Sequence, residues 1–155
     1  MSSTSSAPST PSAPQRPQMS GLETLQRMLR GDYNAPIGDT LDFILVEVEP
    51  GRAVFEGTPS AKVYNPIGTV HGGYAATLLD SACGCAVHAS LGPGQGYSTA
   101  ELKVAYHKAI TDQVGPLRAE GKVISQGRRL AFAEARLTDA KGTLYASATS
   151  TLVLL

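Results

Sequence analysis

The 155-residue chain has no tryptophan, two cysteines, three histidines and no surplus of charge: lysine plus arginine and aspartate plus glutamate stand at 13 each. Without a basic excess, nucleic-acid binding is not expected, although a small basic pocket for an anionic ligand stays compatible with that balance. No run of eighteen consecutive uncharged apolar residues occurs, so no membrane span is expected. Cys83 and Cys85 stand at i and i+2 in a helix-like stretch, where side chains point apart and a disulfide is disfavoured. They read as small core residues of a reducing compartment, hence a cytoplasmic protein. Cys85 and His88 share a helical face, but no CxxC pair and no HExxH occurs, so no metal is expected. A G-x-S-x-G elbow is also missing, which argues against a serine hydrolase.

What is present suits one domain with a genuine core, since hydrophobic residues make up 42%. Residues 1–18, MSSTSSAPSTPSAPQRPQ, are almost wholly Ser, Thr, Ala and Pro and are expected to form a disordered tail, leaving residues 19–155 as the domain. Residues 20–30 predict a short amphipathic helix, with Ser20 and Glu23 as a capping box and Gly31 as its stop. Residues 39–60 predict a hairpin about the turn EPGR. Leu41, Phe43 and Leu45 alternate on one face before the phase slips at Val46, which indicates a bulge.

Residues 71–91 predict a long helix, apolar nearly all round and therefore buried. Four strand-like segments follow it, with the short turns SQGRR and DAKG making antiparallel neighbours. The fold class is thus α+β: a long central helix wrapped by a curved antiparallel sheet of about six strands, preceded by a short N-terminal helix. Such a helix has faces left to bury, which points to a second subunit.

Chemistry concentrates in GTVHGGYAATLLD, residues 68–80. The helix start carries free N–H groups and the positive end of the helix dipole, and Gly72 and Gly73 leave that backbone bare. A carbonyl oxygen could accept there as in an oxyanion hole; equally, the glycines could only permit a tight entrance. Asp80 has the small neighbours Ala76, Thr77, Cys83 and Gly84 one turn away and no lysine or arginine within a turn. It is either a structural carboxylate tied to a hydroxyl or backbone group, or a general base or nucleophile lining a pocket. Gly72 and Asp80 stand eight residues apart, about 12 Å along a helix axis. Groups serving one carbonyl must lie within about 3 Å of the reacting atoms, so if both act together they come from different subunits.

NPIGTVHGGYAATLLDSA, Asn65 to Ala82, resembles the hotdog-fold acyl-CoA thioesterases of the phenylacetate-degradation and 4-hydroxybenzoyl-CoA thioesterase type, and the likeness runs over about residues 20–155. The resemblance implies that the Gly72 N–H polarises the thioester carbonyl, that His71 and Asn65 position the thioester or its water, and that Asp80 of a partner subunit activates water or attacks. It implies a water-holding role for Ser98, substrate contacts for Gly73 and Thr77, and CoA contacts for Arg128 and Arg129 at the QGRRLAF turn, with Lys103 and Lys108 as weaker candidates. The implied substrate is an acyl-CoA with a small aromatic or medium-chain acyl group. The implied assembly is a homodimer or a homotetramer built as a dimer of dimers, and no cofactor is implied. A hotdog hydratase or dehydratase, or a non-catalytic acyl-CoA sensor, would share much of this pattern.

Overall fold

The computed structural model describes residues 18–155; the expected tail, all but Gln18, lies outside the described residues. The N-terminal helix forms as its sequence dictates. α1 spans Gly21–Leu29, the Ser20 side chain accepts from the Glu23 N–H, and the Glu23 carboxylate accepts from the Ser20 N–H at 2.7 Å. Gly31 follows with φ +80, the left-handed conformation that ends helices.

A second helix departs from the sequence reading. α2 spans Pro36–Leu41, with proline in its first turn, where a missing N–H costs nothing. Asp42 then reverses the chain in the left-handed region at φ 56, and β1 begins at Phe43 and runs to Glu49. Leu41, which alternates with Phe43 and Leu45 as a strand residue would, therefore belongs to a helix. The bulge expected in this strand is present between Leu45 and Glu47, where β1 pairs with β2, Arg52–Gly57.

A 3-10 turn, Ala61–Val63, leads to the long helix α3, Gly72–His88. Then come β3, Tyr97–Tyr106, β4, Leu117–Gln126, β5, Leu130–Asp139, and β6, Leu144–Leu154. All six strands form one antiparallel sheet in the order β1-β2-β4-β5-β6-β3, curved around α3, which packs on every strand. The short hairpins place β4, β5 and β6 side by side, whereas the ten-residue link after β3 carries the chain across to β2, leaving β3 at an edge.

Small residues let helix and sheet approach closely. Register lines up Val48, Ala53, Gly121, Ala135, Ala148 and Val104 across the strands, a row whose middle is nearly bare backbone. Ala82 of α3 sits over that middle, fully buried. Larger side chains, Leu78, Leu79, Leu117, Leu137 and Leu152, fill the core on either side. α3 is not buried all round: Gly73, Ala76, Thr77, Asp80, Ser81, Cys85 and His88 are exposed or half-buried, a stripe of mainly small residues open on one side.

Candidate functional site

The loop before α3 is held by Asn65. Its side-chain oxygen accepts from the N–H groups of Ile67 and Thr69, each at 3.1 Å, and its Nδ2 donates to the Thr69 hydroxyl at 2.9 Å. This carboxamide is spent largely on fixing the loop that delivers His71. His71 is the N-cap of α3, and its Nδ1 accepts from the Gly73 N–H at 2.8 Å, which leaves the ring proton on Nε2. Of the two glycine N–H groups at the helix start, Gly73 is therefore occupied. The Gly72 N–H has no partner among the described residues, and it sits at the positive end of the helix dipole.

Gly72 is pinned from the side. The Tyr106 hydroxyl donates to its carbonyl oxygen at 2.8 Å, and a Cβ on Gly72 would lie 3.0 Å from the Tyr106 ring. A side chain on residue 72 would press on the exposed end of this ring. The cleft beside it, about 330 Å³, is lined by Thr69, His71, Tyr106, His107 and Lys108 among others.

Asp80 faces a different cavity. It is half-buried, and its Oδ1 accepts from the Thr99 hydroxyl of β3 at 3.0 Å. The cavity, about 320 Å³, is walled by Leu25, Met28, Phe43, Phe55, His88 and Tyr97 among others. It is mainly apolar, with the carboxylate at its edge. Thr99, next to the expected Ser98, is the strand hydroxyl that meets Asp80. β3 has a bulge between Thr99 and Glu101: strict alternation from Tyr106 would put Ser98 on the helix face, but the extra residue Ala100 reverses the phase. Ser98 is exposed on the outer face, and Tyr97 and Thr99 face α3.

Thr77 is half-buried and donates back to the Gly73 carbonyl at 2.8 Å, so it lies on the open stripe between the two cavities. Arg128 and Arg129 are exposed at the β4–β5 turn, at the end of the sheet that holds Tyr97, since Leu130 and Ser98 both pair with Val153. Gly72 and Tyr106 lie towards the other end, where Lys108 is the cation in the cleft; Lys103 is exposed on the outer face. Within one chain the structure brings together Asn65, His71, Gly72 and Gly73, and separately Asp80 with Thr99. About 12 Å of helix axis separates the two groups.

Burial pushes the thiols of Cys83 and Cys85 up to about 12, so both stay protonated and unreactive at neutral pH. Among the described residues no cluster of three or more metal-ligating side chains occurs, and no helix is long and apolar enough to cross a membrane. His88 packs its ring 5.6 Å from that of Tyr97, and its Nδ1 is buried without a partner. Burial holds its imidazole below the ordinary value. The unfolded chain then binds the proton more readily, so stability is expected to fall as pH drops below about 6.5. The midpoint of urea unfolding should be lower at about pH 5.5 than at about pH 7.5, and His88→Gln should shrink that difference.

A long helix gripped by a six-stranded antiparallel sheet, with an acid in an apolar cavity and bare N–H at the helix start, is the hotdog class of thioester-processing fold. The model of the thioesterase superfamily matches residues 67–146, and the chain belongs to that superfamily as a thioester hydrolase. It is 30% identical over 101 residues, 65% of this chain and 80% of the other, to a 1,4-dihydroxy-2-naphthoyl-CoA hydrolase of Listeria monocytogenes. It is 31% identical over 108 residues, 70% of this chain and 75% of the other, to a protein named as an esterase from Saccharolobus solfataricus. Among solved structures, a thioesterase-type, phenylacetic acid degradation-related protein of Ralstonia eutropha is similar at a TM-score of 0.74 and 28% identity, covering 83% of this chain and 98% of that one.

Proposed function

We propose that the protein hydrolyses small aromatic or medium-chain acyl-CoA thioesters to the free acid and CoA, at a site that two copies of the chain share. One observation carries the reading: Asp80, held by Thr99, borders an apolar cavity, while the free N–H of Gly72 opens into another cleft about 12 Å along the same helix. Neither half is a complete hydrolase site. The stripe Gly73, Ala76, Thr77, Ser81 on the open side of α3 supports a second α3 lying alongside, and the ten-residue edge of β3 offers N–H and C=O groups for a partner strand.

In that pairing the thioester carbonyl of the substrate accepts from the Gly72 N–H of one copy, aided by the positive helix end. Asp80 of the other copy takes a proton from water as the water oxygen bonds to the carbonyl carbon. Collapse of the tetrahedral intermediate breaks the C–S bond, and the proton leaves with the CoA thiol. Thr99 fixes the carboxylate orientation; His71 and Asn65 hold the helix entrance, so they act through Gly72. For the CoA phosphates, Lys108 beside Gly72 and the exposed Arg128 and Arg129 supply charge, the arginines as forked donors. Leu130 and Phe132, exposed at 41% and 42% on the outer face of β5, support pairing of dimers into a tetramer. Residues 19–155 act as one domain in this site-sharing pair. Free Cys83 and Cys85 fit the reducing cytoplasm.

Incubation with a panel of acyl-CoAs and a thiol-reactive dye tests the activity. Release of CoA is expected, fastest with phenylacetyl-CoA or hexanoyl-CoA. Binding without CoA release would favour a sensor, and conversion at the acyl Cα–Cβ bond without release would favour a hydratase.

A further inference from the structure

The cavity beside Asp80 has a ceiling made by a part of the chain that lies before the family match, which begins at residue 67. Leu25 and Met28 come from α1, and Ala35 and Ile37 from the start of α2. Leu25 is 2% exposed and belongs to the core, and Met28 packs against it half-buried.

This ceiling is fastened at both ends. The Gly21 N–H donates to the Leu91 carbonyl at 3.0 Å, and a Cβ on Gly21 would stand 1.8 Å from the carbonyl oxygen of His88, so α1 begins backbone to backbone against the end of α3. Beyond its other end the Tyr33 hydroxyl donates to the Thr24 carbonyl at 3.1 Å, and Arg27 pairs with Asp32 at 3.2 Å. The facing walls carry rings. Phe43 and Phe55 meet edge to face with centroids 5.7 Å apart, and His88 tilts against Tyr97. Among the described residues, Asp80 is the only carboxylate in the lining, which holds no lysine or arginine. At about 320 Å³ the space lies near the bottom of the range for small-molecule sites.

We propose that α1 and its Leu25 and Met28, outside the matched thioesterase core, set the acyl specificity by limiting the depth of this cavity to a compact, uncharged acyl group of single-ring size. The inference rests on the thioesterase reading with Asp80 at the reacting carbonyl. Leu25 and Met28 are specificity-determining because they meet the far part of the acyl group and not the thioester. A shorter side chain at 28 deepens the cavity, and a larger one closes it.

The test measures kcat/KM for acetyl-, phenylacetyl- and lauroyl-CoA with wild type, Met28→Ala and Met28→Trp, each checked for a wild-type melting profile. Met28→Ala is expected to raise the lauroyl-to-phenylacetyl ratio about tenfold or more, the scale on which apolar pockets discriminate by size. Met28→Trp should move preference the other way, towards acetyl-CoA. Ratios unchanged in both folded variants overturn this inference while leaving the hydrolase intact, and a Met28→Ala that does not fold leaves Met28→Trp to decide. Wild type that releases no CoA from any of the three overturns the thioesterase reading and this inference together.

Discussion

Asp80→Asn is expected to lower kcat for acyl-CoA hydrolysis by about a hundred- to ten-thousandfold, the range over which a positioned general base contributes. Asparagine has the shape of aspartate, and its side-chain oxygen can still accept from the Thr99 hydroxyl 3.0 Å away, so the fold and the assembly are expected to persist. What is lost is the capacity to take a proton from water. The effect should fall on kcat with little change in KM, because the carboxylate borders the cavity and acts on the water. Thr99→Val removes the donor that orients the carboxylate and should cost about tenfold or more, as for a hydrogen bond to a charged group, while Thr99→Ser should restore most of it. CoA release followed by a thiol-reactive dye reads all three variants. Near-wild-type turnover by Asp80→Asn would remove the carboxylate from the chemistry.

Gly121→Ala is expected to have the largest effect on stability, about 3 kcal/mol or more, through overpacking. A Cβ at 121 would stand 2.2 Å from the carbonyl oxygen of Ala82 and 2.8 Å from the Cys83 nitrogen. These are backbone atoms in the middle of a helix, and Gly121 is itself clamped between Ala53 of β2 and Ala135 of β5. Neither partner can turn aside, so α3 must lift off the sheet, which loosens the packing of Leu78, Leu79 and Leu137 on both sides. Denaturant unfolding should show the loss directly. Gly127→Ala in the β4–β5 turn is a suitable contrast, since its Cβ would come no nearer than 3.6 Å to its closest neighbour. An equal, small effect at both positions would refute the close helix–sheet contact.

Much of the fold is legible in the sequence because the packing signals are local. The capping box of α1 needs only Ser20 and Glu23, and the bulge in β1 shows as a slip of the apolar phase from Leu45 to Val46. The bulge at Ala100 leaves no such mark, since Ser98, Thr99 and Ala100 are all small and carry no phase, and that is why the strand hydroxyl beside Asp80 is Thr99 and not its neighbour. α2 had a signal in Pro36, but Leu41, Phe43 and Leu45 imitate strand alternation and outweigh it. At the site, the two glycines look equivalent in sequence; capture of the Gly73 N–H by His71 distinguishes them, and histidine is not a common N-cap. The ceiling over the Asp80 cavity depends on how α1 docks on α3, which no local pattern encodes.

The shared site is tested most directly by hybrid dimers of Asp80→Asn and Gly72→Pro chains, co-expressed with different tags and purified through both. Gly72 is the first residue of α3, where proline fits a helix, and His71 at φ −62 and ψ 135 has the extended backbone that a following proline requires. The proline ring presses on the exposed end of Tyr106, 3.0 Å from a Cβ at this position, and that side chain shifts outward to admit it, so the change removes the free N–H while the helix start is kept. Each parent should be nearly inactive. Each hybrid dimer should keep one intact site, formed by Gly72 of the Asp80→Asn chain and Asp80 of the Gly72→Pro chain, and regain roughly half of wild-type activity per dimer. Intact hybrids as inactive as both parents would contradict a site assembled from two copies of the chain.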